Sequence, residues 1–299
     1  MLSRKAWNEK LESFENANIS QLWEFGELAK IYGRGDPKVY RIAGDDYMIQ
    51  AIKFKHDKIP FFTYLTIGGG MGGPSFRNIT SLKEGLRRKP FAMRTHIWFP
   101  EFIYGNLGEH LSLPRYKCKI GYSCVIDIQP PERIWNELFD NKQRNMIRKA
   151  LRRGVTIKVA DEEELEEWIP LKFDTQKRIG QLVTGREGEA ARYMFKQCKH
   201  FAMLLVAKKD NHVISGFWLL KYRDKAFYRS PASSKEAFKV GANNLLVWEA
   251  LKMCYNENLK LFDFGGITLD KNSRTYGVTH FKMSFGGKPV KNYEFIKSF

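Results

Sequence analysis

The chain has 299 residues, 43% of them hydrophobic and 14% aromatic, with a formal net charge of +17. That apolar content supports packed cores and excludes disorder, and the length suits two domains of about 150 residues. The longest apolar run, residues 201–207, is far too short for a membrane span, and the N-terminus has no apolar signal core, so a cytoplasmic location is expected, with contact at the inner membrane face left open.

In chain order, Trp7 to Leu28 reads as helical with a polar break at Asn16–Ser20, and Ser20 is the expected N-cap of a second short helix. Val39–Ile42 and Tyr47–Phe54 read as strands joined by Gly44-Asp45-Asp46. Phe61–Ile67 is a third strand, ending in the glycine loop 68–74, and a helix follows near Thr80–Arg88. Further strands are expected at His96–Phe102 and Cys124–Ile128. After Pro130-Pro131, apolar residues from Ile134 to Leu151 recur at helical spacing up to Gly154, a C-terminal glycine. A strand at 155–159 and helices at 162–177 and 187–198 come next. Three antiparallel strands (203–207, 213–222, 226–230), a helix at 242–255 and a short strand at 261–264 complete the series before a tail.

The charge is unevenly spread. Between Lys142 and Lys158 lie seven cations and no acid, followed by the acidic run 161–167. Arg148 and Arg152, like Lys149 and Arg153, stand four residues apart beside the stripe Met146, Ile147, Ala150, Leu151. Arg144, Arg148, Lys149 and Arg152 are therefore the candidate ligands for a donor phosphate or an RNA backbone, against the alternative of a merely solvated face. The four cysteines and six histidines are scattered, which predicts reduced thiols and neither a metal site nor a disulfide framework.

Three segments together resemble the Fem family of tRNA-dependent peptidoglycan-bridge aminoacyltransferases and their GNAT-like relatives. They are Gln21–Glu27 (QLWEFGE), Arg144–Val155 (RNMIRKALRRGV), and Leu261–Ile267 (LFDFGGI) followed by Gly277, Phe281-Lys282 and Phe285-Gly286-Gly287. The resemblance implies an α/β fold of mixed sheets in two tandem GNAT-like domains: residues 1–130 on the acceptor side, residues 131–299 on the donor side with the transfer chemistry. It places the catalytic expectation on Lys282 and Phe281, and acceptor binding on Arg178 and on the early helix with Trp23. The family's early lysine falls at Ala29, with Lys30 the adjacent candidate, rotated by about 100°.

The residue types suit acyl transfer. An amine attacking an activated ester passes through a tetrahedral oxyanion, which calls for alignment and positive charge or N–H dipoles. Lys282 fits that demand. Phe281 either stacks on the donor or fills the core. Asp263 either takes the amine proton or fixes the turn before Gly265 and Gly266, glycines that admit close substrate approach.

Two other motifs are weak. Gly68-x-Gly70-x-x-Gly73 lies in a glycine run followed by Pro74, so it reads as a mobile loop, possible lining for an acceptor groove, and not a dinucleotide fingerprint. The acyl-CoA pyrophosphate pattern would fall on Phe238–Asn243, where only Gly241 and Ala242 match.

The leading expectation is transfer of an amino acid from aminoacyl-tRNA to an amine of an anionic cell-wall peptide precursor or nucleotide-sugar acceptor in peptidoglycan biosynthesis, without cofactor. The alternative is an N-acyltransferase using acyl-CoA or an acyl carrier protein. A third reading is a non-catalytic RNA- or phospholipid-binding protein.

Overall fold

The computed structural model describes all residues except 1, 34–35, 57–58, 60, 70, 182 and 299. The chain divides into two units, Met1–Ser123 with Val290–Phe299, and Cys124–Pro289.

In the first unit, α1 (Arg4–Glu12) starts where the Ser3 hydroxyl accepts the Ala6 N–H. One 3₁₀ turn, Ile19–Gln21, precedes α2 (Trp23–Tyr32). Ser20 is buried in that turn and donates to Asn18, so α2 begins without the expected serine cap. Next come β1 (Lys38–Ala43), β2 (Tyr47–Lys55) and β3 (Thr63–Ile67), successively antiparallel. Phe61 has φ +72°, which delays β3 by two residues relative to the apolar pattern. β4 (Ser75–Phe76) pairs with β2. The helix α3 (Ile79–Arg87), opened by an Asn78/Ser81 capping box, returns the chain to β5 (Arg94–Pro100), parallel to β3. Two one-turn helices, α4 (Glu101–Tyr104) and α5 (Leu107–His110), lead to β6 (Lys117–Asp127), whose residues from Cys124 on belong to the second unit.

In the second unit, α6 (Pro131–Arg133) runs into a π-helical turn, Ile134–Leu138. The single helix expected from 134 to 151 is interrupted at Phe139, because the Asp140 carboxylate accepts the Gln143 N–H and caps a fresh helix, α7 (Asn141–Arg152). β7 (Thr156–Val159) is followed by α8 (Glu162–Arg178), which opens on an Asp161/Glu164 capping box, and by α9 (Glu187–Gln197). Then come β8 (Ala202–Lys209), β9 (His212–Tyr222), β10 (Lys225–Ser233), α10 (Lys235–Val240), α11 (Ala242–Asn256), β11 (Leu261–Ile267) and α12 (Tyr276–Met283). β12 (Lys288–Ser298), which the polar tail did not reveal, lies from Val290 onward in the first unit, antiparallel to β5.

The two units repeat one plan. Antiparallel strands (β1-β2-β3 and β8-β9-β10) are followed by a helical crossover to a parallel strand, β5 beside β3 and β11 beside β10. The next neighbour is exchanged: β12 flanks β5, and β6 flanks β11. This is the expected mixed α/β class. Each unit has its own apolar core, one built on Ile49, Leu65, Leu82, Ile97 and Phe99, the other on Ile147, Phe217, Leu246, Phe262 and Phe285.

Candidate active site

In the second unit β10 and β11 pair only from Lys225–Phe227 against Leu261–Asp263. Beyond this point β10 carries an irregularity between Arg229 and Ala232, with Ser230 at φ +50°, and the strands part. The fork so formed leaves Ser233 to find partners outside β11. At its far end α8 supplies partners: Thr175 Oγ1 accepts the Ser233 N–H at 3.0 Å, and Arg178 donates to the Ser233 carbonyl at 3.0 Å.

Asp263 sits at the base of the fork and is fully buried. Its Oδ2 accepts Arg229 Nη2 at 3.0 Å and its Oδ1 accepts the Gly265 N–H at 2.7 Å. Burial pushes the carboxyl above the ordinary value, against the pull of the Arg229 guanidinium and the Gly265 N–H. Gly265 has φ +79°, and a Cβ there would lie 2.5 Å from Arg229 Nη1 and 4.0 Å from Lys282 Nζ. Only glycine fits this floor.

Lys282, on α12, is 8% exposed, and its ammonium donates to the Gly266 carbonyl at 2.7 Å. Burial, reinforced by Arg229 and opposed by Asp263 and Cys124, pulls its pKa down to about 8. About a tenth of these amines are then neutral at pH 7. Burial also pushes the neighbouring Cys124 thiol up to about 12. The fork thus gathers two cations and one carboxylate in a largely dehydrated place, with one cation poised to exchange its proton.

Among the sequence candidates, Lys282, Asp263, Gly265 and Gly266 converge here, and Arg178, on α8, meets the end of β10 at Ser233. Arg229 was missed, since an arginine in a strand carries no motif; its placement after the buried pair Ala226-Phe227 is the one available signal. Phe281 packs edge-on against Phe285 at 5.1 Å in the core, which favours the packing role over donor stacking. Trp23 and Lys30 are in the first unit, where Arg41 stacks 3.4 Å over the Trp23 ring and Glu27 pairs with both Arg41 and Lys30. Burial favours the neutral Glu27 carboxyl, yet the two cations hold it below its usual range. Lys30 is exposed on this ion cluster.

The basic ridge is reduced. Arg144 turns inward and donates to the carbonyls of Trp135 (2.8 Å) and Phe139 (2.7 Å), so it fastens the π-turn to α7. Arg148 stacks 5.4 Å from the Trp135 ring and remains exposed, as does Arg152, while Lys149 is half-buried. The segment aligned with the pyrophosphate loop is divided between two helices: residues 238–240 end α10, which Ser234 caps, and residues 242–243 open α11. Gly241 spends its N–H on the Ala237 carbonyl, and its Cα faces Met146 so closely that a Cβ would lie 2.5 Å from the Met146 carbonyl oxygen. In the glycine loop of the first unit, Gly68, Gly72 and Gly73 are closely packed, and Gly69 faces open space. Cβ atoms at Gly68, Gly72 and Gly73 would overlap Gly72, Asn18 and Trp98, whereas Gly70 lies outside the described residues. Cys118 is exposed and the other three thiols are buried. Among the described residues no group of histidine, cysteine and carboxylate side chains could hold a metal ion, and no helix is long and apolar enough to cross a membrane.

Residues 141–283 match the family model described as "Acetyltransferase (GNAT) domain". None of the curated proteins compared matches the chain. Among solved structures, FemX is similar at TM-score 0.74 and 17% identity, covering 98% of this chain and 96% of that one. L-PGS from Bacillus licheniformis aligns at TM-score 0.63 and 16% identity, covering 99% and 92%. The C-terminal domain of a putative lysylphosphatidylglycerol synthetase from Agrobacterium fabrum aligns at 0.63 and 12%, covering 99% and 93%. At these identities the likeness establishes the fold, which is GNAT-like. The domain match supports acyl transfer as the class of reaction.

Proposed function

We propose that the protein transfers an aminoacyl group from aminoacyl-tRNA to the amine of a cell-wall peptide precursor. The observation that carries the acyl-transfer part is the fork itself: a buried lysine with a pKa near 8, held beside a fixed Arg229–Asp263 pair. Protonated Lys282 faces the ester carbonyl and stabilises the oxyanion as the amine nitrogen bonds to carbon. Collapse breaks the carbon–oxygen bond to the ribose, which takes the Lys282 proton. The new nitrogen gives its extra proton to the neutral lysine, so the site returns to its starting state. Asp263 keeps two cations tolerable in one dehydrated place and fixes Gly265.

The donor assignment rests on two supports. In the segment where an acyl-CoA pyrophosphate would need free N–H groups, Gly241 already donates its N–H to the Ala237 carbonyl, and Phe238 stands where the pattern has Arg or Gln. Arg148 and Arg152 also leave exposed cationic charge on α7 for an RNA backbone. The acetyltransferase domain match favours the second reading, N-acyl transfer from coenzyme A or a carrier protein. A donor screen separates them: charged tRNA against acyl-CoA, with and without nuclease. Nuclease-sensitive transfer is expected, and nuclease-insensitive transfer from acyl-CoA would overturn the tRNA assignment.

A further inference from the structure

α12 has only eight residues, yet it must hold one ammonium inside the fork. It is gripped at both ends. Toward its start the Thr279 hydroxyl, buried, accepts the Thr268 N–H and donates to the Thr268 carbonyl, each at 3.1 Å. Just past its end, Ser284 donates to the carbonyl of Phe281 at 2.7 Å, one residue before Lys282.

That second grip continues into the core. Ser284 accepts Gln143 Nε2, and Gln143 Oε1 accepts Asn244 Nδ2. Gln143 is in the first turn of α7 and Asn244 in the first turn of α11, both buried. Neither side chain is needed to cap its own helix: Asp140 caps α7, and Asn244 uses its backbone N–H on the Gly241 carbonyl. Two buried amides cost desolvation that an apolar pair of similar shape would avoid. What the amides supply that an apolar pair cannot is direction. A hydrogen-bonded chain fixes the rotation of α12 about its axis, whereas apolar contacts alone tolerate sliding.

We propose that Gln143, backed by Asn244, is a positioning residue for the transfer reaction: acting through Ser284, it sets the last turn of α12 and so the place of the Lys282 ammonium in the fork. This rests on the role given to Lys282 above. The relay joins residues 143, 244 and 284, which no local pattern connects, and its middle member, Gln143, lies on the same helix as the cationic side chains Arg148 and Arg152.

The test uses the full chain and four variants: Gln143→Leu, Ser284→Ala, their combination and Ser284→Thr. Ser284→Ala removes only a hydroxyl and keeps the proposal testable where Gln143→Leu fails to fold. Turnover and KM are measured alongside thermal unfolding, and the Lys282 amine is titrated by trace acetylation with acetic anhydride read by mass spectrometry. A fall in kcat of about tenfold or more is expected with KM little changed, as befits a misplaced group. The Lys282 labelling midpoint moves from about 8 toward the ordinary lysine value, the double variant is no worse than Gln143→Leu alone, and Ser284→Thr, which keeps the hydroxyl, restores the rate. An unchanged labelling midpoint, with activity lost only in proportion to folded protein, overturns the proposal. Lys282→Ala is run in parallel: full activity there would sink the catalytic reading of Lys282, while the labelling midpoint would still report on the relay.

Discussion

The same topological feature occurs twice in this molecule and is treated in opposite ways. In the first unit, β3 and β5 run parallel from Tyr64 and Arg94 to Ile67 and Ile97. The space beyond is filled by the chain itself: Gly73 lies against the Trp98 carbonyl, Asn18 donates to the Gly73 carbonyl at 3.0 Å, and Tyr104 donates to that of Pro74 at 2.8 Å. The groups are neutral, and burial pushes the Tyr104 phenol well above its ordinary value. In the second unit the space beyond β10 and β11 holds Arg229, Asp263 and Lys282. One fork is closed by glycines that let backbone pack on backbone. The other is lined by charges whose burial costs stability and which shift a lysine toward neutrality. A duplicated topology therefore supplies two equivalent openings, and residue chemistry decides which becomes a site.

The largest expected effect is kinetic and confined to the second fork. Lys282→Ala should lower kcat/KM by about two to four orders of magnitude, with little loss of thermal stability in a steady-state assay paired with a melting curve. A comparable loss from Asn18→Ala in the first fork would break the distinction. Next, Arg229→Met should destabilise by about 3–5 kcal/mol, because it leaves Asp263 buried without its counter-charge, and chemical denaturation would measure it. Arg229→Met combined with Asp263→Asn should recover part of that loss.

The pH dependence sharpens the comparison further. Lys282 binds its proton less tightly when folded (about 8) than unfolded (10.5), so between those values the unfolded chain holds more protons and stability rises with pH. The gain is on the order of 3 kcal/mol by the top of that window, and Lys282→Met should abolish it. In the same enzyme kcat/KM should fall as pH rises through about 8, as the protonated form is lost. Smallest is the first unit's exposed ion pair: Lys30→Ala should cost about 0.5 kcal/mol or less and leave the rate unchanged. A larger rate effect there would restore an acceptor-binding role to Lys30.

How much of this was legible beforehand depends on range. The helix α8, the strands β8 to β11 and the helix α11 follow from local pattern, because side chains three or four residues apart, or alternating, meet whatever the rest of the chain does. The exchange of β6 and β12 was invisible, since strand partners are chosen by packing across the whole fold. Charge was misread in a consistent way: a run of cations in α7 suggested one ridge, but Arg144 finds free carbonyls at the π-turn and is drawn inward.

For the site, the sequence by itself singled out a lysine after a Phe-Gly-Gly strand end and two glycines there that admit close substrate approach. Only the tertiary structure decided that Lys282 is buried, that Asp263 is committed to Arg229 and Gly265, and that Gln143 reaches the turn holding Lys282. Burial and charge pairing are properties of the folded surroundings. A pKa near 8 arises from residues 124, 229 and 263 meeting residue 282 in water's absence, and no spacing along the chain encodes that meeting.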